Sequence, residues 1–132
     1  MITPEIEKFL AGKNFAYFAT LMKDGSPHVA PTWIDYDGKM ILINTAAGRV
    51  KENNVKHDKR VAISVSDNSN PYEMITIRGT VKEITDKDAD EHVDKLAKRY
   101  LGLDKYPFRN PTEKRIILKI LPEKVFHQKP PK

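Results

Sequence analysis

The segment from Ile43 to Asn54 combines residue types that bind anions. An apolar stretch ends at Asn44, a turn of small residues follows, and Arg49 and Lys51 then open a sequence with helical spacing. Backbone N–H groups at the start of a helix lack partners and point outward along a dipole that favours negative charge. Arg49 supplies a bidentate fork, Lys51 a point charge and Thr45 a hydroxyl. The segment therefore predicts an anion site.

A second interpretation of the same segment stays open. Charged residues on a short helix often do no more than keep its exposed face in water, and Arg49 and Lys51 fit that role as well. The segment also matches neither a Walker loop nor a dinucleotide-binding loop. The residues alone thus leave a ligand site and a solvated helix face as alternatives.

A tryptophan precedes this segment, in Pro31-Thr32-Trp33. The Asp37-Gly38 turn predicts a hairpin that pairs this strand with residues 39–44, so the tripeptide would face the same cavity and Trp33 would stack on a flat ring. The alternative is that the only tryptophan of the chain is a core residue. Pro31 has no amide donor, which predicts an edge strand, a bulge or the approach of a ligand.

The histidines are spread along the chain without a pattern that suggests a metal site. No second histidine or carboxylate lies at ligand spacing, so we interpret all four as surface or hydrogen-bonded residues: His28, His57, His92 and His127. No serine-histidine-aspartate arrangement is visible. The absence of cysteine excludes disulfides, thiolate metal sites and a cysteine nucleophile. We predict neither a metal ion nor a catalytic side chain.

The composition indicates one basic cytoplasmic domain. The chain has 132 residues, 39% of them hydrophobic, and a formal net charge of +5, which suits an anionic partner. The basic stretch from Arg49 to Arg60 contains no aromatic residue, which argues against nucleic acid. No apolar stretch has the length of a signal peptide or a membrane span. We therefore expect a single domain over residues 1–132, bound to neither nucleic acid nor membrane.

The pattern of apolar residues predicts a mainly β chain with flanking helices. We predict a helix from Thr3-Pro4 to about Ala11 ended by a left-handed Gly12, and an amphipathic helix capped by Thr85 and ended by Gly102. The remaining predicted elements are strands 14–21, 27–36 and 39–44, a short helix 49–56, strands 60–66 and 72–84, and a last strand 115–126 split at Pro122. Gly79 predicts a bulge or bend. This order indicates an antiparallel β-barrel.

Several of these stretches together resemble one protein family, the pyridoxamine 5'-phosphate oxidase-related, FMN-binding split β-barrel superfamily. The stretches that carry the resemblance are residues 18–21, 24–27, 31–33, 48–54, 57–62, 70–72, 77–81 and 115–125. They follow one another across nearly the whole chain, and the 48–51 segment is most similar to the branch that uses the deazaflavin coenzyme F-420. The chain is shorter than a true pyridoxamine 5'-phosphate oxidase and lacks its extended C-terminal segment, so vitamin B6 oxidation is not expected.

The resemblance implies a homodimer with two cofactor sites at the subunit interface. It implies that the cofactor phosphate is held within the 45–54 segment, by Arg49 and Lys51 with Thr45 and Asn54, and that Val50 is among the cofactor-binding residues. It implies that Thr32, Trp33 and Asn44 line the ring, and that the partner subunit contributes Asn70, Pro71 and Tyr72. The implied cofactor is coenzyme F-420, with FMN as the alternative.

The resemblance also implies the reaction. The expected function is an oxidoreductase that delivers a hydride from reduced coenzyme F-420 to a conjugated organic acceptor. The alternatives are an FMN-dependent oxidoreductase of the same fold and a protein that binds the cofactor without turnover. In each case the cofactor supplies the redox chemistry and the protein supplies binding and orientation.

Overall fold

The computed structural model describes residues 2–131, so Met1 and Lys132 lie outside the description. The elements in chain order are α1 (Pro4–Leu10), β1 (Ala16–Leu21), β2 (Pro27–Thr32), β3 (Asp35–Tyr36), β4 (Ile41–Ala46), α2 (Val50–His57), β5 (Arg60–Ser66), β6 (Met74–Thr85), α3 (Ala89–Leu101) and β7 (Arg115–Gln128). The predicted order of elements is confirmed, except that the predicted strand 27–36 is two strands.

One curled antiparallel sheet contains all seven of these strands. Their order across the sheet is β2-β1-β5-β6-β7-β4-β3, and every neighbouring pair is antiparallel. The long strand β7 joins the two halves, because it pairs with β6 on one side and with β4 on the other. The prediction of a mainly β chain with flanking helices is confirmed.

The core lies on the concave side of the sheet. On β1, β5 and β6 alternate residues are buried, as expected for strands with one face in the core. Phe18, Ile63 and Ile77 lie side by side across these three strands, and each is at most 1% exposed. Complete burial of such a side chain contributes about 1.5–3 kcal/mol. β4 is buried at all six positions, in agreement with its apolar sequence.

The first helix begins as predicted and ends differently. The Thr3 hydroxyl accepts a hydrogen bond from the Ile6 N–H at 3.2 Å, and Pro4 occupies the first turn. The chain leaves α1 through Ala11, which has an ordinary right-handed conformation, and Gly12 has no positive φ. The left-handed stop predicted at Gly12 is therefore wrong. The Ala11 N–H donates to the Glu7 carbonyl oxygen at 3.0 Å and the Gly12 N–H donates to the Phe9 carbonyl oxygen at 3.2 Å, both without a left-handed residue.

The predicted strand 27–36 breaks at Trp33 and Ile34. β2 pairs only with β1, and the hairpin predicted at Asp37-Gly38 is limited to the two residues of β3 opposite β4. The Ile34 N–H donates to the Tyr100 hydroxyl at 3.2 Å, so a side chain of α3 replaces the strand partner there. Pro31 lies on β2, the edge strand of the sheet, which agrees with the edge position predicted as one alternative for this proline. The break turns Trp33 away from the sheet ladder.

The third helix has a different cap from the predicted one. Asp88 precedes it with φ of 60°, while the Thr85 hydroxyl accepts a hydrogen bond from the Lys87 N–H in the preceding turn. Gly102 ends the helix with φ of 73°, which confirms the predicted stop. The apolar stripe of α3 includes Val93 and Leu96, each 1% exposed, so the helix closes one opening of the curled sheet.

The bend predicted at Gly79 is confirmed, and the split predicted at Pro122 is wrong. The register between β6 and β7 shifts between Arg78 and Gly79, and Gly79 pairs with Pro122. Pro122 has no N–H to donate to the neighbouring strand, but it lies at this shift of register, where a regular hydrogen bond is not required. Strand β7 therefore continues through Pro122. Within residues 2–131, no helix is long and apolar enough to cross a membrane.

Candidate functional site

A cavity of about 210 Å³ lies where β2 ends, β4 ends, α2 begins and β7 begins. The sheet register explains this convergence, because the last residue of β4, Ala46, pairs with the first residue of β7, Arg115. The residues that line the cavity are Phe15, Pro31, Thr32, Trp33, Asn44, Thr45, Arg49, Lys51, Val93, Tyr106, Phe108 and Arg115.

The turn between β4 and α2 brings two cations to the cavity. Gly48 has φ of 85°, a conformation that favours glycine, and it reverses the chain so that α2 starts beside the end of β4. The Gly48 N–H donates to the Glu52 carboxylate at 2.7 Å, so a side chain of α2 already satisfies one donor of this turn. Arg49 precedes the helix and makes an exposed ion pair with Glu113. Part of the Arg49 guanidinium is thus already paired with a carboxylate of its own chain.

Lys51 is the half-buried cation of the cavity wall. No hydrogen bond or ion pair joins it to another residue in the described part of the chain. Burial lowers the pKa of Lys51, and the positive charges of Arg49 and Arg115 lower it further. A bound anion would offset both effects, since it would stabilise the charged amine.

Arg115 is a buried cation, 8% exposed, that sequence analysis did not assign to the site. Its Nε donates to the Asn44 side-chain oxygen at 3.0 Å, and its guanidinium lies 4.9 Å from the centre of the Tyr106 ring. Its Nη1 has no hydrogen-bond partner within residues 2–131, because the nearest carboxylate oxygen, on Glu113, is 4.0 Å away. Burial lowers the pKa of Arg115, although a guanidinium remains charged at neutral pH.

A chain of buried polar side chains lies behind Arg115. The Asn44 side-chain nitrogen contacts His92 Nδ1 at 3.1 Å, and His92 Nε2 contacts Asp35 at 3.0 Å. Arg99 and Lys95 contact the same carboxylate at 2.8 and 3.3 Å. Burial opposes ionisation of Asp35, but hydrogen bonds from His92 and Arg99 and the charge of Arg99 outweigh it and hold its pKa well below the usual range.

Aromatic side chains form another part of the cavity wall. Trp33 stacks on Tyr100 with 5.2 Å between ring centres and 7° between planes, and Tyr106 meets Trp33 edge-on at 5.9 Å. The loop that carries Tyr106 is tied to α3, because Asp94 accepts hydrogen bonds from the Tyr106 N–H and from Arg109. Aromatic and cationic side chains around one cavity suit a planar group that carries an anionic tail.

Six of the residues predicted for the site lie on the wall of this one cavity: Thr32, Trp33, Asn44, Thr45, Arg49 and Lys51. Val50 is exposed on the first turn of α2 outside the cavity lining. Asn54 is 5% exposed and donates to the Thr20 hydroxyl at 2.9 Å, so its side chain points into the chain rather than to the cavity. Asn70, Pro71 and Tyr72 lie in the loop between β5 and β6, outside the lining of the cavity in their own chain.

Sequence reasoning missed Arg115 and the aromatic residues Phe15, Tyr106 and Phe108. Arg115 begins a predicted strand, but its position opposite Ala46 follows only from the pairing of β4 with β7, two strands about 70 residues apart in sequence. Tyr106 and Phe108 lie in a predicted loop, where periodicity gives no orientation. The aromatic residues of this loop were the only feature of its sequence that could have pointed to the site.

A family model described as pyridoxamine 5'-phosphate oxidase matches residues 2–129 of the chain. No curated protein sequence matches it.

Several solved structures share this fold. An F420 reductase is 30% identical, covers 91% of this chain and 94% of its own, and superposes with a TM-score of 0.79. A conserved hypothetical protein of Mycobacterium tuberculosis is 24% identical, with coverage of 97% and 84% and a TM-score of 0.74. HupZ of Group A Streptococcus is 23% identical, with coverage of 96% and 94% and a TM-score of 0.70. The latter two likenesses show the fold alone.

Proposed function

The chain belongs to the pyridoxamine 5'-phosphate oxidase family, and we propose that it is a cytoplasmic oxidoreductase that binds coenzyme F-420 and transfers a hydride to a conjugated organic acceptor. Its fold is the split β-barrel of that family. The observation that carries the proposal is the cavity itself, whose lining combines aromatic side chains with more cations than acidic partners.

The residues of the cavity fit a phosphate-bearing flavin-type cofactor. Lys51 has no acidic partner within the described chain, and Arg115 presents a buried N–H group without an acceptor. Both features favour a ligand that brings negative charge and hydrogen-bond acceptors. Trp33, whose ring is held by stacking on Tyr100, offers an aromatic surface to the cavity.

The side chains bind and orient the cofactor in this proposal. Lys51 and Arg49 hold the phosphate, Thr45 adds a hydroxyl, and Trp33 limits the position of the ring. The bound cofactor supplies the hydride-transfer chemistry. The aromatic residues of the cavity also exclude water from the face on which the acceptor is placed.

The likeness to an F420 reductase favours coenzyme F-420 over FMN. FMN remains the second candidate, because the matching family model is described by pyridoxamine 5'-phosphate oxidase and the same cations would hold the FMN phosphate. Binding without turnover is the remaining alternative. The relative affinities for coenzyme F-420 and FMN separate the two cofactor candidates. Reduction of an acceptor by the cofactor-loaded protein separates an oxidoreductase from a protein that only binds the cofactor.

We propose that two copies of the chain form the complete site. The cavity of one chain, about 210 Å³, is smaller than the roughly 300 Å³ at which small-molecule sites usually begin. The outer face, defined by Tyr17, Ala19, Leu21, Val29 and Ala62 on β1, β2 and β5, is an apolar patch beside Arg60, and Tyr17 and Val29 are 50% and 62% exposed. A second copy on this outer face would bury these side chains.

The outer face continues into the cavity. Pro31 pairs with Tyr17 across the β1–β2 ladder and also lines the cavity, so a partner on this face would reach the cavity edge. Tyr72 is 66% exposed on the loop between β5 and β6. We propose that this loop, with Asn70 and Pro71, reaches the cavity of the other copy.

Substitution of Lys51 tests the assignment of the phosphate. Lys51→Ala should weaken binding of coenzyme F-420 by about 1.5–3 kcal/mol, as for a lost charge-assisted hydrogen bond. Fluorescence titration measures this loss, with FMN titrated in parallel. The matched control is Lys59→Ala, which removes an exposed lysine outside the cavity and should leave affinity unchanged. Unchanged affinity in Lys51→Ala with an intact fold would remove Lys51 from the site.

A further inference from the structure

Arg115 is a side chain of the cavity wall that has a buried donor without an acceptor among residues 2–131. It is 8% exposed, it lines the cavity, and its Nη1 is buried with no acceptor among residues 2–131. A buried charged donor without an acceptor is costly, and native proteins rarely leave one. The distance of 4.0 Å to Glu113 is too long for a hydrogen bond. A ligand acceptor in the cavity would complete the hydrogen bonds of the Arg115 guanidinium.

The orientation of Arg115 follows from a sequence of donors and acceptors. Ionised Asp35 is an acceptor only, so His92 donates to it from Nε2, and Nδ1 of a neutral His92 is then an acceptor. The Asn44 nitrogen donates to that Nδ1 and to the Ala89 carbonyl oxygen at 2.9 Å. The Asn44 oxygen is thereby turned toward Arg115, whose Nε donates to it at 3.0 Å.

We propose that Arg115 binds the phosphate of the cofactor and that the chain Asp35–His92–Asn44 positions it. This rests on the proposed function, because it names a further ligand at the same site. Arg115 is a binding residue, whereas His92 and Asn44 are positioning residues that act through it. With Nε held by Asn44, Arg115 lines the cavity and its Nη1 lacks an acceptor among residues 2–131.

The proposal changes the role expected of Asn44. The family resemblance implies that Asn44 lines the cofactor ring, yet both ends of its amide are already engaged, with His92 and Ala89 on one side and Arg115 on the other. Asn44 therefore has little capacity left for the ring. Its position on the cavity wall serves to hold Arg115.

Two pairs of ligands isolate the phosphate contact. FMN and riboflavin differ only in the terminal phosphate, as coenzyme F-420 and its deazariboflavin core differ in the phosphate-bearing tail. Arg115→Gln should weaken binding of the phosphate-bearing member about 10- to 100-fold, as for a lost charge-assisted hydrogen bond, and leave the other member within about twofold. Equal losses for both members would show a structural role and overturn the proposal.

Two substitutions at His92 test the positioning chain. His92→Leu removes the acceptor that orients Asn44, so the preference for FMN over riboflavin should fall. His92→Asn keeps an oxygen near the position of Nδ1 and should restore most of that preference. If both variants fold and show the same preference for FMN over riboflavin, whether that preference is kept or lost, the positioning role of His92 is overturned. If neither variant folds, Arg115→Gln decides the phosphate contact and Asn44→Leu decides the positioning.

Inorganic phosphate separates failure of this proposal from failure of the proposed function. If the wild-type protein binds no flavin or deazaflavin, the proposed function fails. Phosphate should then still raise the thermal midpoint of the wild type more than that of Arg115→Gln at equal ionic strength. An equal rise in both proteins would overturn the assignment of Arg115. Retention of the phosphate preference by Arg115→Gln, in a protein that binds cofactor, would overturn it while leaving the proposed function intact.

Discussion

The buried carboxylate of Asp35 contacts three basic side chains on one face of α3. Its side chain is 5% exposed and contacts His92, Lys95 and Arg99. Asp35→Asn removes the charge and leaves Arg99, 18% exposed, without its carboxylate partner. Because breaking a buried ion pair leaves an uncompensated charge, the variant should lose about 3 kcal/mol of unfolding free energy at pH 7, measured by urea denaturation.

The same residue predicts a pH dependence of stability. The pKa of Asp35 is lower in the folded state than in the unfolded state, so the unfolded chain binds more protons in acid. Its contribution is complete above the ordinary carboxyl pKa of about 4 and is lost as the pH falls toward the folded value. The difference between wild type and Asp35→Asn should therefore shrink below pH 4. A constant difference from pH 7 to pH 2 would contradict the assigned ionisation.

The sequence predicts site residues that are close together in the chain better than those that are far apart. Arg49 and Lys51 follow one turn, so local spacing alone brings them to one place. Arg115 and His92 reach the site through strand pairing and helix packing, which the sequence pattern does not encode locally. Asn54 shows the opposite error, since its helical spacing was correct while its side chain faces Thr20 in the core.

Among the elements, β6 and β7 approach each other closely at Gly79. A Cβ at this position would overlap the Leu121 carbonyl oxygen and lie 3.0 Å from Ile120 Cγ2, and neither backbone can move without disturbing the ladder. Gly79→Ala should therefore destabilise the fold by about 1–3 kcal/mol, measured by thermal or urea unfolding.

Gly12→Ala is the matched control for this prediction. Gly12 also lacks a positive φ, and a Cβ there would meet chiefly the movable side chain of Asn14, at 3.1 Å. The control should change stability by less than about 1 kcal/mol. Equal effects of the two substitutions would show that the approach of β6 and β7 is not the cause.

The elements were predicted well where local chemistry decides them. Thr3-Pro4, Gly102 and the bend at Gly79 act through their own backbone and near neighbours. Two of the predictions that failed depend on distant residues: the Tyr100 hydroxyl interrupts the strand at Ile34, and the shifted register of β6 accommodates Pro122 within β7. The stop predicted at Gly12 and the cap predicted at Thr85 failed locally, because Ala11 and Asp88 take these positions.

At the scale of the whole molecule, the outer face predicts self-association. Ala19 lies near its centre, between Val29 and Ala62 across the strand ladders. Ala19→Arg places a charge on this apolar surface and should convert a dimer into monomers, measured by sedimentation equilibrium. The control is Ala11→Arg, an exposed position at the end of α1 that lies outside the outer face and should leave the dimer intact.

Association and cofactor binding are linked in this account. If the loop that carries Tyr72 completes the site of the partner copy, monomers of Ala19→Arg should also bind cofactor more weakly than the wild type. A monomeric wild-type protein with full affinity would contradict the shared site. The sequence itself gave no direct sign of the outer face, because the alternation of each strand shows two faces without showing which of them meets a partner.

Equilibrium fluorescence titration of the purified wild-type protein with coenzyme F-420 and with FMN, in parallel and at physiological salt, tests whether the protein binds the proposed cofactor. We expect saturable binding with a clear preference for coenzyme F-420. Preference for FMN would transfer the proposed function to a flavin-dependent oxidoreductase of the same fold. Binding of neither cofactor would contradict the proposed function.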